Sequence, residues 1–143
     1  MLYVDTSVLV SALTNETDTS LCQTWLAEQD ASALAISDWT VTEFSSALSI
    51  KLRTGALSAP HRAAALSAFT RLSHESFQVL TVAHADFFAA ARLADQSQLN
   101  LRAGDALHLS VCAAHGATLC TLDRRLGEAA PRVGVESVLL SGG

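Results

Sequence analysis

The stretch Leu2-Tyr3-Val4-Asp5-Thr6-Ser7-Val8-Leu9-Val10 decides the fold. Three apolar residues followed at once by a carboxylate and two hydroxyls read as a short buried strand that stops at Asp5. Val8, Leu9, Ala12 and Leu13 then recur at helical spacing, so a helix follows with no linker. A strand that runs straight into a helix is the opening unit of an α/β domain. In a parallel sheet, polar groups just beyond the carboxyl ends of the strands stand where ligands bind. Asp5 occupies such a place.

The alternation continues along the chain. Asp18 or Thr19 caps a second helix in which Leu21, Trp25 and Leu26 share a face. Ala33-Leu34-Ala35-Ile36 reads as the second strand, and Ser37 or Asp38 opens a helix that runs to about Arg53, with Gly55 as its stop. Ser58 and Pro60 start another, with Ala65, Leu66, Phe69 and Leu72 inward. Phe77 to Val82 is the expected third strand, followed by a helix from about Ala85 to Gln98 that buries Phe87, Ala90, Ala91 and Ala94. Gly104 and Asp105 open a helix terminated by Gly116, and Ala117 to Leu122 forms the fourth strand. Asp123 starts a short basic helix, and Val133 to Val138 supplies a fifth strand at the edge. Five strands joined by helical crossovers call for right-handed connections and a parallel sheet. No repeat or long linker interrupts the pattern, so residues 1–143 are expected to form one domain.

Composition narrows the function. With 50% hydrophobic residues the 143-residue chain can bury a core without disulfides or a structural metal, and its mean hydropathy of +0.30 excludes disorder. A net charge of −5 excludes a basic face that grips nucleic acid along its length, so any RNA or DNA is met at a local site. Cys22, Cys112 and Cys120 are odd in number and widely spaced, which fits small buried hydrophobes in a reducing compartment rather than a disulfide framework or zinc knuckle. The longest stretch free of Asp, Glu, Lys and Arg, Ala106 to Leu122, is shorter than the ~20 residues of a membrane span. The expectation is a soluble cytoplasmic domain with no membrane partner.

The acids fall in comparable places. Asp5 ends the first strand, Asp123 ends the fourth, and Asp105 opens the helix that leads into the fourth. Each alone reads as a helix cap, but all three approach one edge of the sheet. Glu43 resists the capping explanation. It lies inside the third helix on a stripe with Thr40, Ala47 and Ile50, with no Lys or Arg three or four residues away to pair with it. Two carboxylates at ~5 Å and an effective dielectric of ~20 repel by about 3 kcal/mol. Four together therefore require protonation or a divalent cation. Oxygen-only ligands with no accompanying His or Cys cluster select Mg²⁺ or Mn²⁺, and such an ion suits hydrolysis of a phosphodiester.

At four places the sequence resembles the PIN-domain ribonucleases, and among them the VapC-type toxins of toxin–antitoxin pairs. These are Leu2 to Val10, Thr42-Glu43-Phe44, Leu101-Arg102-Ala103-Gly104-Asp105-Ala106-Leu107-His108-Leu109, and Thr121-Leu122-Asp123-Arg124-Arg125-Leu126. The resemblance implies a three-layer α/β fold whose five-stranded parallel sheet has the order 3-2-1-4-5. It implies that Asp5, Glu43, Asp105 and Asp123 are metal ligands and catalytic carboxylates for one or two Mg²⁺ ions (Mn²⁺ substituting), and that Ser7 and Thr121 orient them. It further implies RNA as substrate, a VapB-like antitoxin that occupies the cleft, and a homodimer.

Arg124 and Arg125 after Asp123, Arg102 before Asp105 and Arg53 at the end of the Glu43 helix are the candidates for gripping RNA phosphate. His108, one helical turn after Asp105, reads as a satisfied, partly buried histidine within reach of that carboxylate. Trp39 and Phe44 read as packing. The rival from another class is a catalytically silent PIN-like module that binds RNA or protein; four filled acidic positions speak against it. An aspartyl-phosphate phosphotransferase lacks support, because Ser7 stands where a second acid is wanted and the one lysine is Lys51.

Overall fold

Strand β1 (Leu2–Val4) is the central strand of a five-stranded sheet in a computed structural model that describes residues 1–140. The last three residues of the expected domain lie outside the described residues. β1 pairs in parallel with β2 (Leu34–Ser37) through Leu2↔Leu34 and Tyr3↔Ala35, and with β4 (Thr118–Thr121) through Leu2↔Thr118 and Val4↔Cys120. β3 (Gln78–Leu80) adds outside β2, and β5 (Ser137–Leu139) outside β4, again in parallel. The order is β3-β2-β1-β4-β5, so the chain turns back at β1 and opens a crevice between the carboxyl ends of β1 and β4.

The helices are α1 (Thr6–Leu13), α2 (Thr19–Glu28), α3 (Asp38–Arg53), α4 (Ala59–Glu75), α5 (His84–Asp95), α6 (Ala103–His115) and α7 (Arg124–Arg132). Alternation along β1 splits the core in two. Val4 joins Val8, Leu9, Phe44, Leu48 and Phe69 on the face covered by α1 to α4, with the Phe44 and Phe69 rings stacked at 4.2 Å. Tyr3 points the other way, to Leu109, Leu119 and Leu126 under α6 and α7. The three cysteines are free and buried, and burial raises each thiol above its ordinary value, so all three behave as core atoms. Among the described residues no helix is long and apolar enough to cross a membrane.

Three local expectations need correction. In α5 only Ala90 of the four expected inward residues is buried; Ala91 and Ala94 are exposed and Phe87 is 52% exposed. The helix packs on α6 through Ala90 against Ala106 and Leu107, and this narrow contact of small side chains covers a single stripe. In α2 Trp25 and Leu26 pack on the core as expected, but Cys22 takes the inward place and Leu21 faces solvent. The fifth strand starts later than Val133, because Gly134, at φ +83°, ends α7 in a left-handed turn with the Val135 N–H on the Ala130 carbonyl.

Candidate active site

Asp5 is held from three sides. Its backbone N–H donates to the Cys120 carbonyl at 2.9 Å, which locks the end of β1 to β4. Its Oδ2 accepts hydrogen bonds from Ser7 Oγ and Thr121 Oγ1, both at 2.7 Å, and its side chain caps no helix. The two hydroxyls are themselves fixed: Ser7 Oγ accepts the Leu122 N–H at 3.2 Å, and Thr121 Oγ1 accepts the Asp123 N–H at 3.0 Å. A carboxylate that is 5% exposed is thereby oriented by hydroxyl groups on one oxygen.

Asp105 and Asp123 both serve as caps. Asp105 Oδ2 accepts the backbone N–H of Arg102 at the start of α6, at 3.2 Å. Asp123 Oδ1 accepts the Leu126 N–H at the start of α7, also at 3.2 Å. Arg125 links them, with Nη2 3.1 Å from Asp105 Oδ2 and 4.0 Å from Asp123 Oδ2. Burial pushes the Asp105 carboxyl above the usual carboxylate range. The Arg102 N–H and Arg125 oppose the rise, while the charges of Asp123 and Asp5 add to it.

Glu43 sits in the second turn of α3, where Oε1 accepts from Thr6 Oγ1 at 2.7 Å and stands 2.5 Å from His108 Nε2. The partner that the sequence around Glu43 lacked thus comes from α6. Burial favours the neutral acid, but the hydrogen bond and charge of His108, with the Thr6 hydroxyl, outweigh it and hold Glu43 below its ordinary value. The Trp39 indole N–H forms no hydrogen bond of good geometry, yet its dipole also favours the charged form. Gly104 makes the approach of α6 possible: a Cβ there would fall 2.5 Å from Glu43 Oε2 and 3.2 Å from Trp39 Nε1.

All four acids line one open cleft of about 610 Å³, together with Thr6 and Ser7. The cleft runs on past Val10, Ala47 and Ile50 to Glu16 and Asp18, and Lys51 closes on Glu16 at 2.7 Å. The arginines are placed differently from one another. Arg125 is bound to the acids; Arg124 reaches Glu128 at 3.9 Å; Arg102 contributes its backbone N–H. Arg53 donates to Ser49 ten residues beyond Glu43, or about 15 Å along α3.

The structure gives His108 partners other than the expected Asp105. His108 is 1% exposed rather than partly buried, and it bonds to Glu43 and Tyr3 instead of Asp105. Asp5, Glu43 and His108 each offer one donor atom within a 4.8 Å group, so a histidine does accompany the acids. Asp105 and Asp123 stand outside that close group but line the same cleft, and this carboxylate-rich lining fits a hard divalent cation. A cation there would favour the charged form of Asp105, which burial and, to a lesser degree, the charges of Asp123 and Asp5 disfavour.

The sequence profile described as "PIN domain" matches residues 2–131. No curated protein sequence matches the chain significantly. Solved structures do. The VapC20 toxin of Mycobacterium tuberculosis, described as cleaving the sarcin–ricin loop, superposes with a TM-score of 0.76 at 18% identity, covering 97% of this chain and 99% of that one. VapBC2 of Rickettsia felis, solved on a fragment of promoter DNA, gives 0.69 at 18% identity with 99% and 100% covered. FitAcB of Neisseria gonorrhoeae gives 0.71 at 18%, with 96% of each chain covered. At these identities the likeness is one of fold.

Proposed function

The chain belongs to the PIN domain family, and from that premise we propose that its acidic cleft is the active site of a divalent-metal-dependent endoribonuclease of the VapC toxin type. The observation that carries the reading is the convergence of Asp5, Glu43, Asp105 and Asp123, drawn from the β1–α1 junction, α3, α6 and the β4–α7 junction, on one open cleft. In this reading the four carboxylates hold one or two Mg²⁺ ions, with Mn²⁺ as a substitute. A bound cation supplies Lewis-acid activation of the phosphodiester and of water. Ser7 and Thr121 keep Asp5 turned toward the cleft through their bonds to Oδ2. Arg125 and Arg124, at the start of α7, meet the phosphates flanking the cut, and Arg102 and Arg53 extend the contact outward.

An acidic chain gathers its RNA contacts locally in this reading, because a net charge of −5 supplies no general attraction for a polyanion. The VapC20 structure of similar fold is described as a toxin, and another, from Klebsiella pneumoniae, as a toxin–antitoxin complex. By analogy we assign this chain a VapB-like antitoxin that occupies the cleft along α3, a homodimeric state, a single domain over residues 1–143, and action on cytoplasmic RNA.

The test is direct. Protein purified free of any bound partner is incubated with total cellular RNA and Mn²⁺, alone and with EDTA, alongside Asp5→Asn. Discrete RNA fragments that vanish with chelator and in the variant are the expected result. Intact RNA with Mn²⁺ present removes the enzymatic reading and leaves a binding module.

A further inference from the structure

His108 is a deeply buried titratable group at the site, and the proposed chemistry gives it no task. Its ring is 1% exposed and does not line the cleft, although the four acids do. Both nitrogens are engaged. Nδ1 is 2.7 Å from the Tyr3 hydroxyl; Nε2 is 2.5 Å from Glu43 Oε1 and 3.4 Å from Asp5 Oδ1. The Tyr3 hydroxyl continues the chain, at 2.7 Å from Ser37 Oγ and 3.4 Å from Thr40 Oγ1. Every member is buried except Glu43, which reaches from this network into the cleft.

We propose that His108 and Tyr3 form a buried positioning relay that sets the spacing of Glu43 and Asp5 and so tunes the affinity of the cleft for a divalent cation. The inference rests on the nuclease reading above. Four elements meet in it: β1 through Tyr3, the end of β2 through Ser37, α3 through Thr40 and Glu43, and α6 through His108. The imidazole is a fixed spacer between two carboxylates that repel. Nε2 reaches both of them, and Nδ1 is anchored to a phenol that cannot move, because Tyr3 is fully buried. A nitrogen ligand would need a free lone pair facing the cleft. Here Nε2 faces Glu43 from the protein side, so the ring orients the acids from beneath. Partners that stand behind metal ligands are worth about 10–100-fold in metal affinity.

The experiment titrates the purified full-length protein with Mn²⁺ alone by isothermal calorimetry, and checks folding by circular dichroism. Tyr3→Phe keeps the ring and removes the hydroxyl; His108→Ala removes the spacer; His108→Gln restores one N–H toward Glu43. The relay requires Tyr3→Phe to weaken Mn²⁺ binding about 10-fold and His108→Ala about 100-fold, with His108→Gln between them. In cleavage assays at fixed Mn²⁺, kcat falls while KM for RNA holds, and excess Mn²⁺ restores Tyr3→Phe. Folded Tyr3→Phe and His108→Gln that both bind Mn²⁺ like the wild type overturn the relay. Loss in both His108 variants with wild-type affinity in Tyr3→Phe overturns it too, by making His108 a direct ligand. Wild-type protein that takes up no Mn²⁺ marks failure of the nuclease reading itself, and the relay falls with it.

Discussion

His108 Nε2 and Glu43 Oε1 stand 2.5 Å apart across 65 residues of sequence, and this contact joins the two helices that flank the acidic cleft. Each residue changes the proton affinity of the other, so the metal-free protein carries a defined pH dependence. Glu43 is held below its usual 4.5, so its stabilisation is present above that value and is lost as pH falls through the folded value. For His108, burial favours the neutral ring, but Glu43, Asp5 and Asp105 prevail and raise it above 6.5. Its stabilisation is therefore complete below 6.5 and is lost as pH rises through the folded value. Asp105, raised above 3.8, loses stability on ionising and so favours the acid side as well.

Thermal unfolding without metal is thus expected to peak between pH 4.5 and 6.5 and to fall on either side. His108→Gln should flatten the alkaline limb, leaving the acid limb of other carboxylates in place. Tyr3, whose hydroxyl is pushed far up by burial, stays neutral throughout. A melting temperature in the wild type that keeps rising from pH 6 to pH 9 is inconsistent with the pair.

Removing a carboxylate should separate chemistry from folding. Asp105→Asn relieves repulsion from Asp123 and Asp5 but also weakens the ion pair with Arg125, so the metal-free fold should survive it. Cleavage should nevertheless fall at least ~100-fold, as should cleavage by wild type in EDTA, because in the proposed enzyme the hydrolytic step depends on the cation. Gel-resolved fragments of total RNA read out activity, and circular dichroism reads out the fold. Retained cleavage by a folded Asp105→Asn removes that residue from the proposed set.

The inner strands β1, β2 and β4 were legible because each is a buried, largely apolar run that ends in a capping or turn residue, whereas β5, half-exposed at the edge, was read several residues too early. Asp5, Asp105 and Asp123 were legible for the same reason, since strand ends and helix starts fix where a side chain emerges. The Glu43 partner was not. Local spacing excludes an i,i+4 cation, but no pattern in one sequence says that His108 crosses from α6. Gly104 gave a signal that went unused: a glycine one residue before Asp105, inside the first turn of a helix, marks close approach of another chain segment. In α5, helical periodicity identified an apolar face but could not tell that α6 covers only the Ala90 stripe.

Gly104→Ala is expected to damage the site from a distance of one methyl group. The new Cβ falls 2.5 Å from Glu43 Oε2, too close for any side chain, and 3.2 Å from Trp39 Nε1, which is itself packed. Either α6 shifts outward or Glu43 rotates away from His108. Overpacking of this kind costs about 1–3 kcal/mol, and a displaced Glu43 should weaken Mn²⁺ binding about 10-fold or more. Denaturant unfolding and calorimetry measure the two effects. An unchanged stability together with unchanged Mn²⁺ affinity contradicts the packing of α6 on α3.

Arg125 should show opposite signs in two assays. Its guanidinium lies 3.1 Å from Asp105 and 4.0 Å from Asp123, so without metal it neutralises the oxygens a divalent cation needs. Taking it away leaves those acids unscreened, and Mn²⁺ binding to Arg125→Ala should tighten several-fold. In the proposed enzyme the same group meets RNA phosphate once the cation has replaced it on the acids. RNA affinity, measured with Ca²⁺ in place of Mn²⁺, should therefore weaken about 10-fold, and the slope of log K against log salt should fall by about 0.7 for a single-stranded substrate. Loss of both affinities together would make Arg125 a structural brace for Asp105, with no phosphate contact. Tighter metal and weaker RNA in one variant would tie the resting ion pair and the substrate contact to a single side chain.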